Sequence, residues 1–205
     1  MKDPGPPDYL APYARAVRRL GAGFEALLWQ SRSTQRARFD ALLRLVSLEN
    51  VVLCDAGCGH ADLLDHLHRR GIALNHYTGI EAQPELARMA SRRAAGYPNA
   101  IVVLADFVAE PNRLLVGADV TYFGGSLNTM NDELFYRTLK LASEATARTV
   151  ALSFLCSLRR ANEPHLHWRG LADVIAFART LGKNVRRLDD YLDGDATVAW
   201  DVATA

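Results

Sequence analysis

The sequence predicts an α/β fold in which strands and helices alternate along one chain of 205 residues. Short apolar segments of strand length, such as Val51–Cys54 and Thr149–Leu155, alternate with longer segments whose apolar residues recur at helical spacing. A tight glycine segment, Gly57-Cys58-Gly59, joins the first of these strands to the helix that follows it. Strands that are separated by helices favour a largely parallel sheet covered by helices on both faces.

The bulk composition is that of an ordinary globular protein. Apolar residues make up 49% and charged residues 23%, and the formal net charge is +1, so bulk charge indicates neither nucleic-acid nor membrane binding. The N-terminus lacks the apolar segment of a signal peptide, and no stretch is long enough to span a bilayer. Cys54, Cys58 and Cys156 form no even set for disulfides, and we expect reduced thiols in a cytoplasmic protein.

The first part of the chain predicts helices that precede the sheet. Met1–Pro7 is rich in proline and glycine, and we expect it to be a loose tail. Tyr9–Val46 shows apolar residues at helical spacing, interrupted by two glycines. Ser33 or Thr34 is predicted to cap the last helix of this part.

The remaining elements follow in alternation. Strands are predicted at His76–Ile80, Ile101–Leu104, Gly117–Phe123, Lys183–Leu188 and Asp195–Trp200, and helices at His60–Arg70, Leu86–Ala95, Glu133–Ala145 and Trp168–Leu181. Asn131 or Asp132 is expected to start the third of these helices. The last two strands are separated by a segment ending in Asp193-Gly194, which is typical of an antiparallel hairpin turn.

The segment Asp55–Ala61, which follows the first strand, carries a recognisable motif. It resembles motif I of the class I S-adenosylmethionine (SAM)-dependent methyltransferases, an acid followed by x-G-x-G-x-G, with Ala61 in place of the third glycine. Gly57 and Gly59 let the backbone approach a ligand, and the helix that follows directs free N–H groups into the same crevice. We expect Ala61 to tighten the turn without abolishing binding.

The segment Leu28–Phe39 resembles the stretch that precedes motif I in many small methyltransferases, approximately W-x-S-x-x-x-Q-x-x-R-F. In that family the stretch packs over the cofactor, and its polar groups can meet the methionine carboxylate of SAM. The resemblance assigns Gln35 and Arg38 to this role, since a guanidinium fits a carboxylate bidentately. The alternative, in which Arg38 belongs to a solvated helix face, stays open.

The resemblance also assigns acids at the ends of the next two strands. Glu81 would accept hydrogen bonds from both ribose hydroxyls. Asp106 would accept the exocyclic amine of adenine, and Phe107 would line the base. The other residues implied at the cofactor site are Asp55, Gly57, Gly59, Asp62, Ala82, Tyr122 and Gly124.

Candidate catalytic residues lie in two later segments. The loop Gly124–Met130 follows the fourth strand, where the family places the methyl group and the substrate, and Asn128 offers a polar contact there. His165 or His167 is a candidate general base, because a neutral imidazole suits deprotonation near neutral pH. A metal site and an ordinary surface loop are the other interpretations of these two histidines.

The resemblance as a whole implies a Rossmann-like three-layer αβα sandwich. Its seven-stranded, mostly parallel sheet would have the order 3-2-1-4-5-7-6, with an antiparallel terminal strand. Residues 1–46 would form an N-terminal tail and helical lid, and residues 47–205 the SAM-binding methyltransferase domain.

The function implied is methyl transfer from SAM to a small-molecule acceptor, with SAM as cofactor and no metal, and without nucleic acid or membrane as partner. A catalytically inactive, methyltransferase-like binding or partner subunit is the alternative. An NAD-linked oxidoreductase is disfavoured, because Asp62 stands where the dinucleotide fingerprint requires glycine. The sequence names neither the acceptor nor the methylated atom, and it does not fix the oligomeric state.

Overall fold

A twisted sheet forms the centre of the computed structural model, which describes residues 5–157 and 163–203. Within these ranges seven strands follow the order β3-β2-β1-β4-β5-β7-β6. The strands are β1 Val52–Ala56, β2 His76–Glu81, β3 Ala100–Leu104, β4 Val120–Gly124, β5 Thr149–Leu155, β6 Gly182–Leu188 and β7 Asp195–Val202. The first five pair in parallel, and β7 is antiparallel to both of its neighbours. The predicted strand order and antiparallel terminal strand are confirmed.

Helices cover both faces of this sheet. They are α1 Ala11–Leu20, α2 Arg32–Leu45, α3 Asp62–Arg69, α4 Pro84–Ala94, α5 Asp132–Ala145 and α6 Leu171–Leu181, with short 3-10 helices at Phe24–Leu27 and Pro111–Leu114. Successive strand residues point to opposite faces. Leu53 therefore packs in the cluster with α2, α3 and α4, and Cys54 packs in the cluster with α5 and α6. The three-layer sandwich follows from this alternation.

The predicted starts of α2 and α6 differ from the structure for identifiable reasons. The N-cap of α2 is Ser31, whose hydroxyl accepts from the Thr34 N–H at 3.1 Å, while the Thr34 hydroxyl accepts from the Ser31 N–H at 3.2 Å. Thr34 is thus the reciprocal partner in a capping box and not the cap. Helix α6 begins at Leu171 and not at Trp168, because the preceding backbone bonds elsewhere: the Arg169 N–H donates to the Leu155 carbonyl at 3.0 Å.

The N-terminal segment, defined here as residues 5–46, packs across one end of the sheet. Leu27 of this segment shares a small buried cluster with Leu86 at the start of α4. Leu86 follows β2 closely, so the N-terminal segment covers the carboxyl ends of the parallel strands. Across the described ranges, no helix is both long and apolar enough to cross a bilayer.

Candidate active site

A cavity of about 400 Å³ lies between the N-terminal segment and the carboxyl ends of the parallel strands. This edge is where open α/β sheets bind ligands, and the volume lies within the range of small-molecule sites. Most of the predicted site residues line it: Gln35, Arg38, Asp55, Gly57, Gly59, Glu81, Ala82, Asp106, Phe107, Gly124 and Asn128. Asp62, Tyr122, His165 and His167 do not.

The turn after β1 is shaped by close packing as well as by backbone conformation. Gly57 and Gly59 have φ values of 80° and 57°. A Cβ at Gly57 would collide with Ser126, whose hydroxyl donates to the Ala56 carbonyl at 2.6 Å. A Cβ at Gly59 would lie 2.7 Å from a methyl group of Leu27. Both glycines are therefore needed where the turn meets the loop after β4 and the N-terminal segment.

Ala61 occupies the position of the third family glycine. Its φ of 56° and ψ of 38° place it in the left-handed region, where it forms the N-cap of α3. An alanine there is strained by about 1 kcal/mol, because its Cβ approaches the backbone. The side chain is also fully buried, so its methyl group contributes packing.

Glu81 is held by backbone donors at the end of β2. Its Oε2 accepts from the Gly59 N–H at 2.9 Å, and its Oε1 accepts from the Gln83 N–H at 2.8 Å. Each carboxylate oxygen keeps acceptor capacity, so the group can still receive two hydroxyl donors. Burial raises the pKa of Glu81 to about 7, although the backbone hydrogen bonds act in the opposite direction.

Asp55 lies beside Glu81 on the cavity wall. The Tyr77 hydroxyl donates to its Oδ2 at 2.7 Å. Burial raises the pKa of Asp55 to about 7; the Tyr77 hydrogen bond lowers it, and the negative charges of Glu81 and Asp62 raise it further. The two carboxyl groups thus change charge near neutral pH when no ligand supplies donors to them.

Asp106, the predicted adenine acceptor, is bonded to the N-terminal segment. The Tyr9 hydroxyl donates to its Oδ2 at 2.6 Å, and the Val108 N–H donates to its Oδ1 at 2.9 Å. Phe107 is buried and packs edge-on against Phe123, with ring centroids 5.7 Å apart. A ligand amine at Asp106 would therefore meet the Tyr9 hydroxyl.

Arg38 is buried, with 7% of its surface exposed, so it does not belong to a solvated helix face. Its Nε donates to both carboxylate oxygens of Asp195 at 2.9 Å, and its Nη2 donates to Oδ2. The Trp29 ring lies over the guanidinium, 4.8 Å from Cζ to the ring centroid. The charge and hydrogen bonds of Asp195 raise the pKa of Arg38 against the opposing effect of burial, which is the larger single influence.

Two residues predicted to contact the cofactor, Asp62 and Tyr122, are bonded to other side chains of the protein and do not line the cavity. Asp62 accepts from the Gln35 side-chain amide at 2.9 Å and from the Arg93 guanidinium, so it ties α2 and α4 to the start of α3. Tyr122 is fully buried, and its hydroxyl lies 2.8 Å from that of Ser153. Neither residue lines the cavity, so direct contact of Asp62 and Tyr122 with the cofactor stays a prediction.

Asn128 is the one predicted catalytic residue that lines the cavity. Its Oδ1 accepts from the Leu155 N–H at 3.2 Å, and its backbone carbonyl accepts from the His167 N–H at 2.8 Å. Asn128 therefore fastens the loop after β4 to the end of β5.

His165 and His167, the predicted general bases, do not line the cavity, and their role as a base stays a prediction. His165 is half-buried and His167 is exposed, while their neighbours Glu163 and Leu166 line the cavity. Burial lowers the pKa of His165. Residues 158–162, which belong to the same predicted substrate segment, lie outside the described residues.

The side chains that line the cavity and that sequence reasoning missed include Tyr9, Tyr13 and Asp195. Tyr9 and Tyr13 are four residues apart, which is the spacing of neighbours on one helix face and a signal that was available. Burial raises the pKa of Tyr13 to about 12, the charge of Glu81 adds to the rise, and that of Arg38 opposes it. Tyr13 therefore lies within electrostatic reach of both groups.

The cysteines and metal-ligating side chains indicate no further chemistry. Cys54, Cys58 and Cys156 are free thiols. Cys58 lines the cavity, and burial raises its pKa well above the ordinary thiol value, so it is a poor nucleophile. In the part of the chain that the structure describes, no three His, Cys, Asp or Glu side chains form a metal-binding group.

Comparisons with known proteins agree with this architecture. No protein-family model matches the chain. The Mycobacterium tuberculosis protein named "Putative methyltransferase Rv1506c" is 30% identical over 146 residues, which cover 67% of this chain and 84% of that protein.

Two solved structures are similar over nearly the whole chain. The N-methyltransferase NodS from Bradyrhizobium japonicum WM9, in complex with S-adenosylhomocysteine (SAH), has a TM-score of 0.72 and 15% identity, and the match covers 97% of this chain and 100% of NodS. The magnesium protoporphyrin IX methyltransferase ChlM from Synechocystis PCC 6803, with bound SAM, has a TM-score of 0.69 and 14% identity. The match covers 98% of this chain and 100% of ChlM.

The strand order, the glycine turn after β1 and the acid that ends β2 together define the class I methyltransferase architecture. With the M. tuberculosis relative added, the chain belongs to the class I SAM-dependent methyltransferase family.

Proposed function

We propose that this protein is an active methyltransferase, of enzyme class EC 2.1.1, that transfers a methyl group from SAM to a small-molecule acceptor. The observation that supports this most strongly is the Glu81 carboxylate. It lies at the end of β2, is oriented by the Gly59 and Gln83 N–H groups, and keeps acceptor capacity on both oxygens. A ribose presents two adjacent hydroxyl donors to such a group.

The other cavity residues fit the remaining parts of SAM. Asp106 and Phe107 would hold adenine, Asp55 and the glycine turn would lie along the middle of the cofactor, and Arg38 would meet the methionine carboxylate. Gly57 and Gly59 line the cavity without a side chain, which supports close approach of backbone to ligand at this turn. Asp62 argues against a dinucleotide, because its carboxylate at the start of α3 would oppose a pyrophosphate.

The chain's contribution to the reaction is mainly positioning. When bound, SAM supplies a methyl group on a positively charged sulfur, and that methyl is already electrophilic. The N-terminal segment covers the cavity, while Tyr13 and Asn128 offer polar groups that can orient an acceptor. Holding both reactants in one geometry supplies a large part of the rate enhancement of such a transfer.

A small-molecule acceptor is supported by the shape and charge of the protein. The cavity lies beneath the N-terminal segment, and its volume of about 400 Å³ leaves limited space beside a cofactor. The net charge of +1 supplies no bulk attraction for nucleic acid. The three free cysteines suit a reducing compartment, which supports action in the cytoplasm.

Calorimetric titration of the purified protein with SAM, SAH and NAD tests this proposal. We expect both adenosyl compounds to bind with micromolar affinity and NAD not to bind. SAM turnover is then measured in the presence of candidate acceptors. Binding of NAD alone would contradict the proposed cofactor, and binding of SAM without turnover on any acceptor would favour the inactive binding subunit.

A further inference from the structure

Asp195 is the first residue of β7 and the direct partner of Arg38. It is 1% exposed, yet it belongs to the cavity wall. Its two oxygens receive the Nε and Nη2 groups of Arg38, which use one edge of the guanidinium. A guanidinium has five N–H donors, so the two donors of Nη1 are not used by Asp195. Among the described residues, none accepts a hydrogen bond from Nη1.

Two further contacts fix the plane of this guanidinium. The Trp29 ring covers it, with Cζ 4.8 Å from the ring centroid. Gly125 lies against Nη1, because a Cβ at that position would collide with this nitrogen. Gly125 has a φ of 91° and lines the cavity, so Nη1 is held next to the space where a ligand binds.

Asp195 is itself oriented by a chain of buried hydroxyls. The Tyr191 hydroxyl lies 2.6 Å from Asp195 Oδ1 and 2.8 Å from the Thr197 hydroxyl. The Ser153 hydroxyl lies 2.8 Å from that of Thr197 and 2.8 Å from that of Tyr122.

The carboxylate determines the direction of every bond in this chain. A carboxylate only accepts, and each hydroxyl has one proton to donate. Tyr191 must therefore donate to Asp195, Thr197 to Tyr191, Ser153 to Thr197 and Tyr122 to Ser153. A chain of four aligned hydroxyl donors ends on Asp195 and holds its side chain in one orientation beside Arg38.

We propose that Asp195 is a positioning residue that orients Arg38 so that Nη1 donates to a ligand carboxylate, namely that of the methionine part of the cofactor. The proposal rests on the proposed function. It explains why a buried Arg38 that is already paired can still bind an anion. Asp195 accepts from Nε and Nη2, and Nη1 is left to donate to the ligand.

The test compares two ligands that differ only in the amino-acid part. SAH carries the carboxylate, and 5′-methylthioadenosine keeps the adenosine and the thioether without it. We expect Asp195→Asn to weaken SAH binding about tenfold, the value of one charge-assisted hydrogen bond, and to leave 5′-methylthioadenosine within about twofold. The matched control is Asp201→Asn, at the far end of β7, where Asp201 pairs with Arg186. It should change neither affinity.

Two further variants separate positioning from general stability. Tyr191→Phe keeps the Arg38–Asp195 pair and removes one donor to Asp195, so we expect an SAH-specific loss of about threefold. This variant decides the question if Asp195→Asn does not fold in a thermal melt. In an Arg38→Ala background, Asp195→Asn should cause no further loss of selectivity for SAH, because both residues act through one contact.

The outcomes distinguish this proposal from the proposed function. Equal losses for both ligands, or none for either, would overturn the role of Asp195 while the wild-type protein still binds SAH. An unchanged SAH affinity combined with weaker binding of an acidic acceptor would mean that Arg38 binds a carboxylate of the acceptor and not that of the cofactor. This result would also overturn the proposal. Failure of the wild-type protein to bind either ligand would overturn both proposals.

Discussion

The two walls of the cavity are held in place by different kinds of contact. The sheet wall, defined as the ends of β1, β2 and β3 with the turn at Gly57–Ala61, holds its key carboxylate through backbone donors. Glu81 is bonded to the Gly59 and Gln83 N–H groups. The opposite wall is the N-terminal segment, and its polar side chains are bonded to acids of the sheet domain. These pairs are Tyr9 with Asp106, Gln35 with Asp62 and Arg38 with Asp195.

This difference separates a preformed wall from one whose contacts depend on the ligand. Backbone groups of a strand end and a tight turn change little when a ligand arrives. A side-chain pair between Tyr9 and Asp106, in contrast, uses an acceptor that the ligand would also use. The sheet wall should therefore determine most of the affinity, and the N-terminal segment should adjust it by smaller amounts.

The largest expected effect is a pH-dependent loss of stability caused by the buried carboxyl groups of the sheet wall. Burial gives Glu81 and Asp55 pKa values of about 7, well above their unfolded values. Folding therefore favours their protonated forms. The associated stability is fully present below the unfolded pKa and is lost as pH rises through about 7. We expect the ligand-free protein to lose stability between pH 5 and 8, on the order of 3 kcal/mol for Glu81 alone.

Chemical denaturation at pH 5, 6, 7 and 8 measures this loss. Glu81→Gln carries no charge, so it should remove about half of the pH dependence, and saturating SAH should reduce it in the wild-type protein by supplying donors. A stability that rises over this interval would show that both carboxyl groups are already solvated or paired.

The next largest effect is the loss of ligand affinity when the Glu81 carboxylate is removed from the sheet wall. Glu81→Ala removes the acceptor of both ribose hydroxyls, and we expect SAH binding to weaken by about 2 kcal/mol, roughly thirtyfold. Glu85→Ala, in the first turn of α4, is the matched control and should leave binding unchanged. Calorimetry measures both. Equal affinities for Glu81→Ala and wild type would remove Glu81 from the site.

The sheet wall was predictable because its residues follow strands. Asp55, Glu81 and Asp106 each come at or just after the end of a parallel strand, and the carboxyl ends of parallel strands meet at one edge. Strand order and site residues on this wall therefore followed from local patterns and from the family resemblance, without knowledge of any long-range contact.

The pairs of the N-terminal segment could not be predicted in the same way. Tyr9 and Asp106 are 97 positions apart, and Arg38 and Asp195 are 157 positions apart. Which acid each side chain reaches depends on where the N-terminal segment crosses the end of the sheet, and no local pattern fixes that. One signal for Asp195 was present: it is an acid at the start of a mostly apolar and buried strand, where a charge needs a partner.

The position of the two histidines relative to the cavity could not be predicted, for a related reason. Spacing identified an exposed segment near the substrate loop but did not say which side chains turn inward. The structure places Glu163 and Leu166 on the cavity and His165 and His167 beside it. Residues 163–166 form a turn, in which the Leu166 N–H donates to the Glu163 carbonyl at 2.9 Å, so spacing alone did not indicate which side chains face the cavity.

A smaller effect tests whether the N-terminal segment competes with the ligand. Tyr9→Phe frees Asp106 Oδ2 from a hydroxyl donor, and we expect SAH to bind up to about 1 kcal/mol more tightly, roughly fivefold, because the adenine amine no longer displaces that bond. Tyr97→Phe is the matched control, since Tyr97 donates to Asp65 outside the cavity at 2.7 Å. Weaker binding in Tyr9→Phe would show that the Tyr9 hydroxyl belongs to the ligand-bound arrangement.

The smallest expected effect concerns the departure from the family glycine in the sheet wall. Ala61→Gly relieves a left-handed backbone, at φ 56°, that disfavours alanine by about 1 kcal/mol. It also removes a buried methyl group worth about 0.8 kcal/mol and adds freedom to the unfolded chain. These terms nearly cancel, so the free energy of unfolding should change by less than about 1 kcal/mol.

Urea denaturation and SAH titration compare Ala61→Gly with Ala142→Gly, which deletes an equally buried methyl from the ordinary backbone of α5. The control gains no relief of strain and loses helix propensity, so it should be destabilised by more, about 2 kcal/mol. Equal destabilisation of the two variants would mean that the turn carries no strain at Ala61. The smaller loss at Ala61 would show instead that packing of the methyl offsets the strained backbone, which is how the sheet wall accommodates alanine at a glycine position.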